Sequence, residues 1–440
     1  MDRSRRSHDV PESHDDLPGS HDRRGADGPP PARDHRRLGR ELGLFGSDPL
    51  MGAGLPYWLP DGAVVRHELE EFVREEERRA GYRHVYSPVL GKRELYEVSG
   101  HWSHYADDMF PAMDLGDGEQ AVLRPSLCPH HALVYRSRAR SYRELPLRIA
   151  ELGAMFRSER SGVLGGLTRV RAIQLNDAHV FCAPAQAAEE ARAALELIRR
   201  AYGVLGVEPA RYRLSLPGEG GKYVAGPAMW RRAAALLAEV LDGCGIAYEA
   251  VEGEAAFYGP KIDVQIADDA GREATLSTVQ VDFHQPERFG LEYVAADGSR
   301  RRPVMVHRSV IGSVERAVAR LIEVYGGAWP AWLAPVQVVV LPVSDAQYAA
   351  AQEFARRCVE RGLRAEVAGP QRGSLGARVR AARLAPYQAV VGAREAEAGA
   401  VALRLRDGRR FEQPMAPAVA RIVQVVASRS RQLWDARAGG

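Results

Sequence analysis

The alternation of apolar and polar positions over residues 152–182, LGAMFRSERSGVLGGLTRVRAIQLNDAHVFC, predicts two antiparallel strands joined by a polar loop. Ser161, Gly162, Gly165 and Gly166 mark the connection, because glycine reaches the backbone angles that a turn needs. Arg157 falls near the end of the first strand. Arg169 and Arg171 open the second, and with Ile173, Leu175, Asp177 and His179 they share one face of a period-two pattern. Unpaired charges are costly to bury, so such a face lines either a wet, ligand-filled site or a solvated strand surface.

Elsewhere helix and strand periods alternate. Residues 36–45 predict a short helix and 63–80 an amphipathic one, with Val64, Leu69, Phe72 and Val73 apolar. A strand follows over 82–90, closed by Pro88, and a helix begins near His131. Further helices are expected at 184–203 and 227–244, with strands at 257–264 and 275–283. Residues 304–316 read as a strand running through a glycine into a helix. From Val336 the pattern becomes βαβ, with strands at 336–343, 364–367 and 387–392 and helices at 346–361, 375–384 and 416–430. That alternation predicts a mixed sheet with helices on its faces. A linker at 334–336 divides the chain into units 35–334 and 335–440, behind a tail, 1–34. The tail carries three Ser-His-Asp triplets, at Ser7, Ser13 and Ser20, but a catalytic triad is assembled in space, and the composition is that of a disordered segment.

The 440-residue length agrees with two or three domains. No apolar run has transmembrane length and no signal-peptide pattern opens the chain, so no membrane role is expected. Cys128, Cys182, Cys244 and Cys358 are scattered, which argues against a disulfide framework and fits a cytoplasmic protein. Residues 336–440 hold 17 arginines, no lysine and 9 acidic residues, a net +8 in a chain whose total is +3. A basic C-terminal unit on a mildly acidic body suggests an RNA contact, or simply a solvated basic surface. Cys128, His179 and His307 obey no local metal-spacing rule, and from spacing alone they read equally as buried core residues.

The string F-R-S-E, a loop, R-V-R and then N-D-A-H-V-F-C resembles motif 2 of the class II aminoacyl-tRNA synthetases, and closely that of the threonyl-tRNA synthetases. The helix, strand and Pro88 before it resemble motif 1, which builds the dimer interface in that family. V-M-V-H-R-S-V-I-G-S-V-E-R resembles motif 3. The resemblance covers about residues 35–433. It implies an α/β chain with an α+β catalytic core: a class II antiparallel sheet with flanking helices, followed by a C-terminal α/β anticodon-binding domain.

Roles follow from the resemblance position by position. Arg157 and Arg316 would be the ATP-binding motif arginines, joined by Glu159 and Arg169. A guanidinium suits this, since it binds phosphate or carboxylate bidentately and stays charged. His101, in S-G-H-W, would assist aminoacyl transfer at the terminal ribose of tRNA. Asp177, Gln280, Tyr258 and Lys261 would bind the amino acid, and Glu395 and Arg404 the anticodon. Cys128, His179 and His307, in the contexts C-P-x-H, D-A-H-x-F-C and M-x-H-R, would hold one zinc per subunit, with Mg²⁺ accompanying ATP. The implied function is threonine–tRNA ligase activity, in a cytoplasmic homodimer acting on threonine, ATP and tRNA.

The chain also departs from the family pattern. It is expected to lack the N-terminal ubiquitin-like and editing domains, which would leave serine rejection to a possible trans-editing protein. The family's C-P-G-H is Cys128-Pro-His-His131, and the Met-Asn before it is Ser126-Leu127. Leu175 and Thr275 replace family glutamines, and an anticodon-reading asparagine is replaced near Arg372. These changes motivate a second reading: a synthetase paralogue that activates an amino acid for a non-translational acceptor, or an inhibitor-insensitive duplicate. A third, a non-catalytic RNA-binding relative, is opposed by the intact arginines and metal ligands.

Overall fold

The computed structural model describes residues 33–268 and 271–434. The expected tail lies almost wholly outside the described residues, as do the three Ser-His-Asp triplets. Asp34 lies inside them and caps helix α1 (His35–Glu41), accepting from the Arg36 N–H at 2.7 Å. Helix α1 stops short of Phe45, because Gly43 turns the chain at φ +64° and Phe45–Gly46 pairs with Tyr57–Trp58. Helix α2 (Pro60–Arg79) has proline and Asp61 in its first turn and Arg78 and Arg79 in its last, the order that the helix dipole favours. Its buried stripe is Val65, Leu69, Phe72, Val73 and then Glu77, so Val65 rather than Val64 faces inward.

Among the described residues eight strands form the main sheet. They are β1 (Arg83–His84), β2 (Leu147–Phe156), β3 (Ala172–Cys182), β4 (Arg211–Leu216), β5 (Tyr248–Glu252), β6 (Lys261–Ala267), β7 (Glu273–Asp282) and β8 (Val304–Ser309). The order across the sheet is β5-β4-β6-β7-β8-β3-β2-β1, antiparallel except for the edge pairs β5/β4 and β1/β2. The strand expected over 82–90 breaks in two around Pro88, which cannot donate to a ladder. Only Arg83–His84 joins this sheet, and Leu90–Lys92 joins a separate three-stranded one. Arg169 and Arg171 precede β3 instead of opening it. The Arg171 N–H goes to the Gly54 carbonyl at 2.8 Å, which ends the ladder there. The strand expected from Phe257 starts at Lys261, since Pro260 has no N–H and Gly259 closes a turn onto the Ala256 carbonyl.

One face of the sheet is covered by α2, α4 (Ala187–Leu205), α5 (Pro227–Gly243) and α7 (Val314–Tyr325), in a core that includes Leu69, Leu195, Leu237, Val279, Val306 and Leu321. Helix α3 (Cys128–Arg136) packs on the other face, where Ala132 and Tyr135 meet Ile149, Phe181 and Met305. The short α6 (His284–Arg288) follows β7 on the same side as Cys128, as its Gln285 contact below shows. Beyond it a second sheet holds β9 (Val338–Pro342), β10 (Ala365–Val367), β11 (Tyr387–Val391), β12 (Ala400–Leu405) and β13 (Arg410–Pro414), in the order β10-β9-β11-β12-β13. Helices α8 (Tyr348–Glu360) and α10 (Met415–Ala427) share one of its cores and α9 (Leu375–Ala381) the other, as the βαβ pattern predicts. Strands β4 and β5 escape the sequence reading, because RYRLSL and YEAVE are short and largely polar.

Two buried carboxylates are held in opposite ways. Glu77 continues the apolar stripe of α2 beneath the sheet. Its Oε1 accepts from Arg308 and from Asn176, each at 2.7 Å, and its Oε2 lies 2.6 Å from His84 Nε2. Burial alone would raise the Glu77 carboxyl, but the Arg308 charge and these hydrogen bonds leave it below the usual range. Glu315, in the first turn of α7, accepts the Gln174 N–H at 3.1 Å, and burial lifts its carboxyl to about 7.

Neutralising one member of the fully buried Glu77–Arg308 pair strands the other charge. The Glu77→Gln variant should therefore lose about 3–5 kcal/mol of unfolding free energy, measured by urea denaturation. Glu315 works the other way. Between an unfolded value of about 4.3 and a folded value of about 7, the native state binds the extra proton, so stability falls as pH rises through that window. The Glu315→Gln variant should shrink the loss of stability between pH 5 and pH 8 by on the order of 2 kcal/mol, and an unchanged pH slope would exclude Glu315 as its source.

Candidate active site

Antiparallel register places four of the predicted residues in a single row. Lys261 of β6 stands opposite Gln280 of β7, Gln280 opposite His307 of β8, and His307 opposite His179 of β3. Direct cross-strand partners share a face, so these four side chains lie on the face that carries α3. Tyr258 stacks on His307, with ring centroids 4.8 Å apart, and donates to Gln280 Oε1 at 2.8 Å. A side chain at Gly259 would meet the Val281 carbonyl at 2.5 Å, so glycine there lets the loop press this close to the sheet. Lys261 is tied to Asp263 at 2.9 Å.

Cys128, His179 and His307 converge, with one ligand atom from each lying within 4.8 Å of the others. No other such trio of His, Cys, Asp or Glu occurs among the described residues. Neighbouring groups set the histidine tautomers. Glu151, whose carboxyl burial would raise, is held at about 2 by hydrogen bonds from His131 and Ser87 and by the Arg124 charge. Glu151 accepts the hydrogen bond of His131 Nε2–H at 3.2 Å, and in neutral His131 the Nδ1 then accepts from His179 Nδ1 at 2.7 Å. That leaves His179 Nε2 as a bare lone pair. Asp282 accepts from His307 Nε2 at 3.0 Å and leaves His307 Nδ1 bare in the same way. These two nitrogens face each other at 3.0 Å. Two lone pairs at that distance repel unless a proton or a cation lies between them, and burial holds His179 well below the usual range for taking a proton. With the Cys128 sulfur beside them, this donor set fits a borderline-soft divalent cation. Burial pushes the Cys128 thiol up to about 12, so a bound cation is what would favour its thiolate.

Around this trio, Asp177 Oδ2 lies 3.8 Å from His179 Nε2, and burial raises its carboxyl to about 6. His101 Nε2 lies 3.9 Å from Cys128 Sγ. Arg157 covers the Tyr105 ring at 5.5 Å, and its buried Nε has no hydrogen-bond partner. Glu159 pairs with Arg169 at 2.8 Å, and Arg316 donates to the carbonyls of Thr275 on β7 and Thr168 in the loop before β3, at 2.7 and 3.2 Å. Glu395 and Arg404 are not part of this site. Glu395 caps the helix Ala393–Ala398 by accepting the Gly392 N–H at 2.9 Å, and Arg404 lies on β12 opposite Arg410. Sequence reading missed His131, Glu151, Asp282 and Gln285. His131 was within reach, since it stands three residues after Cys128 on one helix and so shares its face.

Residues 113–325 match the class II core domain of tRNA synthetases (G, H, P, S and T), and residues 337–424 match an anticodon binding domain. The fold is thus that of a class II aminoacyl-tRNA synthetase core followed by an anticodon-binding domain. The RNA binding domain of threonyl-tRNA synthetase from Cryptosporidium parvum Iowa II superposes with a TM-score of 0.84 at 34% identity, covering 91% of this chain and 99% of that one. A putative threonyl-tRNA synthetase from Aeropyrum pernix superposes with a TM-score of 0.78 at 26% identity, covering 91% and 97%. A threonine–tRNA ligase of Streptococcus pyogenes serotype M4 is 51% identical over 377 residues, which are 84% of this chain and 58% of that protein. The chain belongs to the threonyl-tRNA synthetase family, and it spans less than two thirds of the length of the curated relatives it matches.

Proposed function

We propose that the chain is a threonine–tRNA ligase, which activates threonine with ATP to threonyl-adenylate and transfers it to the 3′ end of threonine tRNA. The observation that carries this reading is the convergence of Cys128, His179 and His307, with the Asp177 carboxylate next to them, in a chain of this family. Cys128, His179 and His307 would hold a zinc ion. Three protein ligands leave a coordination position open, and when bound the metal would take the amino group and hydroxyl of threonine, which valine cannot match. Asp177 accepts the substrate hydroxyl's hydrogen bond, and Gln280, oriented by Tyr258, meets the amino group, with Lys261 on the same wall. Arg157, whose Nε is left free, binds the carboxylate and the α-phosphate. Arg316 and Arg169, the latter held by Glu159, bind the rest of ATP, which arrives with Mg²⁺. Fixed guanidinium groups stabilise the charge that develops as adenylate forms and pyrophosphate leaves. His101 then serves the attack of the tRNA ribose hydroxyl on the adenylate carbonyl. Residues 35–334 form the catalytic unit and 335–440 the anticodon-binding unit, where Glu395 and Arg404 contact tRNA. The setting is a cytoplasmic homodimer built on motif 1. No helix among the described residues is long and apolar enough to cross a membrane.

A site that selects a hydroxyl retains serine. The purified 440-residue chain, given threonine tRNA, ATP and Mg²⁺, should charge threonine, reject valine by about 10⁴-fold or more, and accumulate seryl-tRNA when threonine is withheld. A trans-editing protein would then be sought by its power to clear that product. Absence of charging together with pyrophosphate exchange on another amino acid would favour a paralogue with a different acceptor. Substituting Cys128→Ala should abolish stoichiometric zinc, read by elemental analysis, together with threonine-dependent pyrophosphate exchange, while circular dichroism stays unchanged. Full exchange activity in that variant would remove the metal from the scheme.

A further inference from the structure

Outside its ligand trio the Cys128 sulfur has two polar neighbours that no role above uses. Gln285, fully buried on α6, places its Nε2 3.2 Å from Cys128 Sγ. Ser126, just ahead of α3, places its Oγ 3.2 Å from the same sulfur and 2.9 Å from His101 Nε2. We infer that Ser126 and Gln285 are positioning residues that hold the Cys128 sulfur by two hydrogen bonds, set how strongly it donates to a bound metal, and link it to His101.

The chemistry at each atom supports this. Gln285 leaves its Oε1 buried without a partner while its amide N–H₂ is aimed at sulfur. A thiolate accepts and cannot donate, so it selects this orientation of the carboxamide. The orientation is further fixed by Asp282. Its Oδ1 accepts the backbone N–H groups of His284 and Gln285, at 2.7 and 2.9 Å, while its Oδ2 holds His307. One carboxylate therefore sets both a metal ligand and the helix turn that carries a donor to another ligand. Ser126 has a single hydroxyl hydrogen to share between Cys128 and His101. When the sulfur is a ligated thiolate, that hydrogen goes to sulfur, and His101 must present Nε2–H to the Ser126 oxygen. His101 Nδ1 then keeps its lone pair, 2.8 Å from Ser99 Oγ, and competes with the Tyr96 carbonyl, 3.2 Å from that oxygen, for the single Ser99 hydroxyl hydrogen. The state of the metal ligand thus reaches the histidine through one hydroxyl.

Hydrogen bonds to a thiolate lower the energy of its lone pairs, so removing them shifts sulfur-to-metal charge transfer to longer wavelength. Partners of this kind typically contribute about 10–100-fold in metal affinity. The inference rests on the metal reading above, and the experiment separates the two. The purified chain is loaded with cobalt(II), its thiolate-to-cobalt absorption is recorded, and cobalt affinity is measured against a chelating dye. Ser126→Ala and Gln285→Met should each move the band to longer wavelength and weaken cobalt binding by about tenfold or more. Ser126→Thr, which keeps the hydroxyl, should restore both. Cobalt bound by all variants with an unmoved band and unchanged affinity overturns the inference and leaves the metal reading intact. Absence of cobalt binding by the unmodified chain overturns both.

Discussion

Strand register is the constraint on which the rest of this structure depends. Lys261, Gln280, His307 and His179 come from four separate strands, and they share one row only because each pairs with the next. The side-chain period of a strand is two, so a slip of one residue in β8 would turn His307 into the core and carry Arg308 out to the site. Residue 308 is where that error would be most costly. Arg308 faces Glu77 across the helical layer, with both side chains fully buried, and in the slipped register each would lose its partner. The buried ion pair is thus the counterpart, on the hidden face, of the donor cluster on the open one. It is a poor source of net stability relative to an apolar pair, but it discriminates sharply between registers.

The outer partners of the site follow the same economy of position. Glu151 stands directly opposite Asp177 on the neighbouring strand, and it reaches the His179 ring through His131. Asp282 closes β7 and opens α6, and from that corner it holds His307 and fixes Gln285. Both donor nitrogens are therefore freed by carboxylates that lie on the sheet itself or at its rim, not on mobile loops. A tautomer set by a rigid acceptor keeps a lone pair aimed without spending conformational freedom at the moment of binding.

The elements were legible wherever periodicity was long. Helix α2, the β2–β3 hairpin and the βαβ order of the C-terminal unit lie where the sequence places them, because each spans enough residues for its period to show. Boundaries failed where one backbone hydrogen bond decided the matter. Gly54 takes the Arg171 N–H, and Pro260 withholds one ahead of β6, and neither event leaves a trace in hydropathy. The convergence of Cys128, His179 and His307 was legible through resemblance but not through spacing, since 51 and 128 positions separate them along the chain. The row was not legible at all, because register is a property of strand pairs. Glu77 also escaped: read alone, it is one more glutamate on a charged helix, and only the fold shows that it prolongs the apolar stripe.

The positions where the chain departs from its family can be sorted by what they touch. Leu127 and Leu175, at positions where the resemblance implies polar residues, pack into one apolar cluster with Met155, Val170 and Ile173. Thr275 accepts from Gln265 Nε2 at 2.7 Å and lends its carbonyl to Arg316. His130 is buried beside the Tyr96 ring, 6.3 Å away, where burial lowers its basicity to about 4. All four alter walls and supports, and none removes a donor from the trio. The asymmetry has a physical reason. An apolar wall tolerates exchange as long as volume is shared among neighbours, usually at less than about 1.5 kcal/mol per change. A missing ligand leaves the remaining lone pairs buried and opposed, with nothing on the sheet able to answer them. Divergence in such a site therefore accumulates in the wall, and the wall is where any change of amino-acid preference in this chain would have been made.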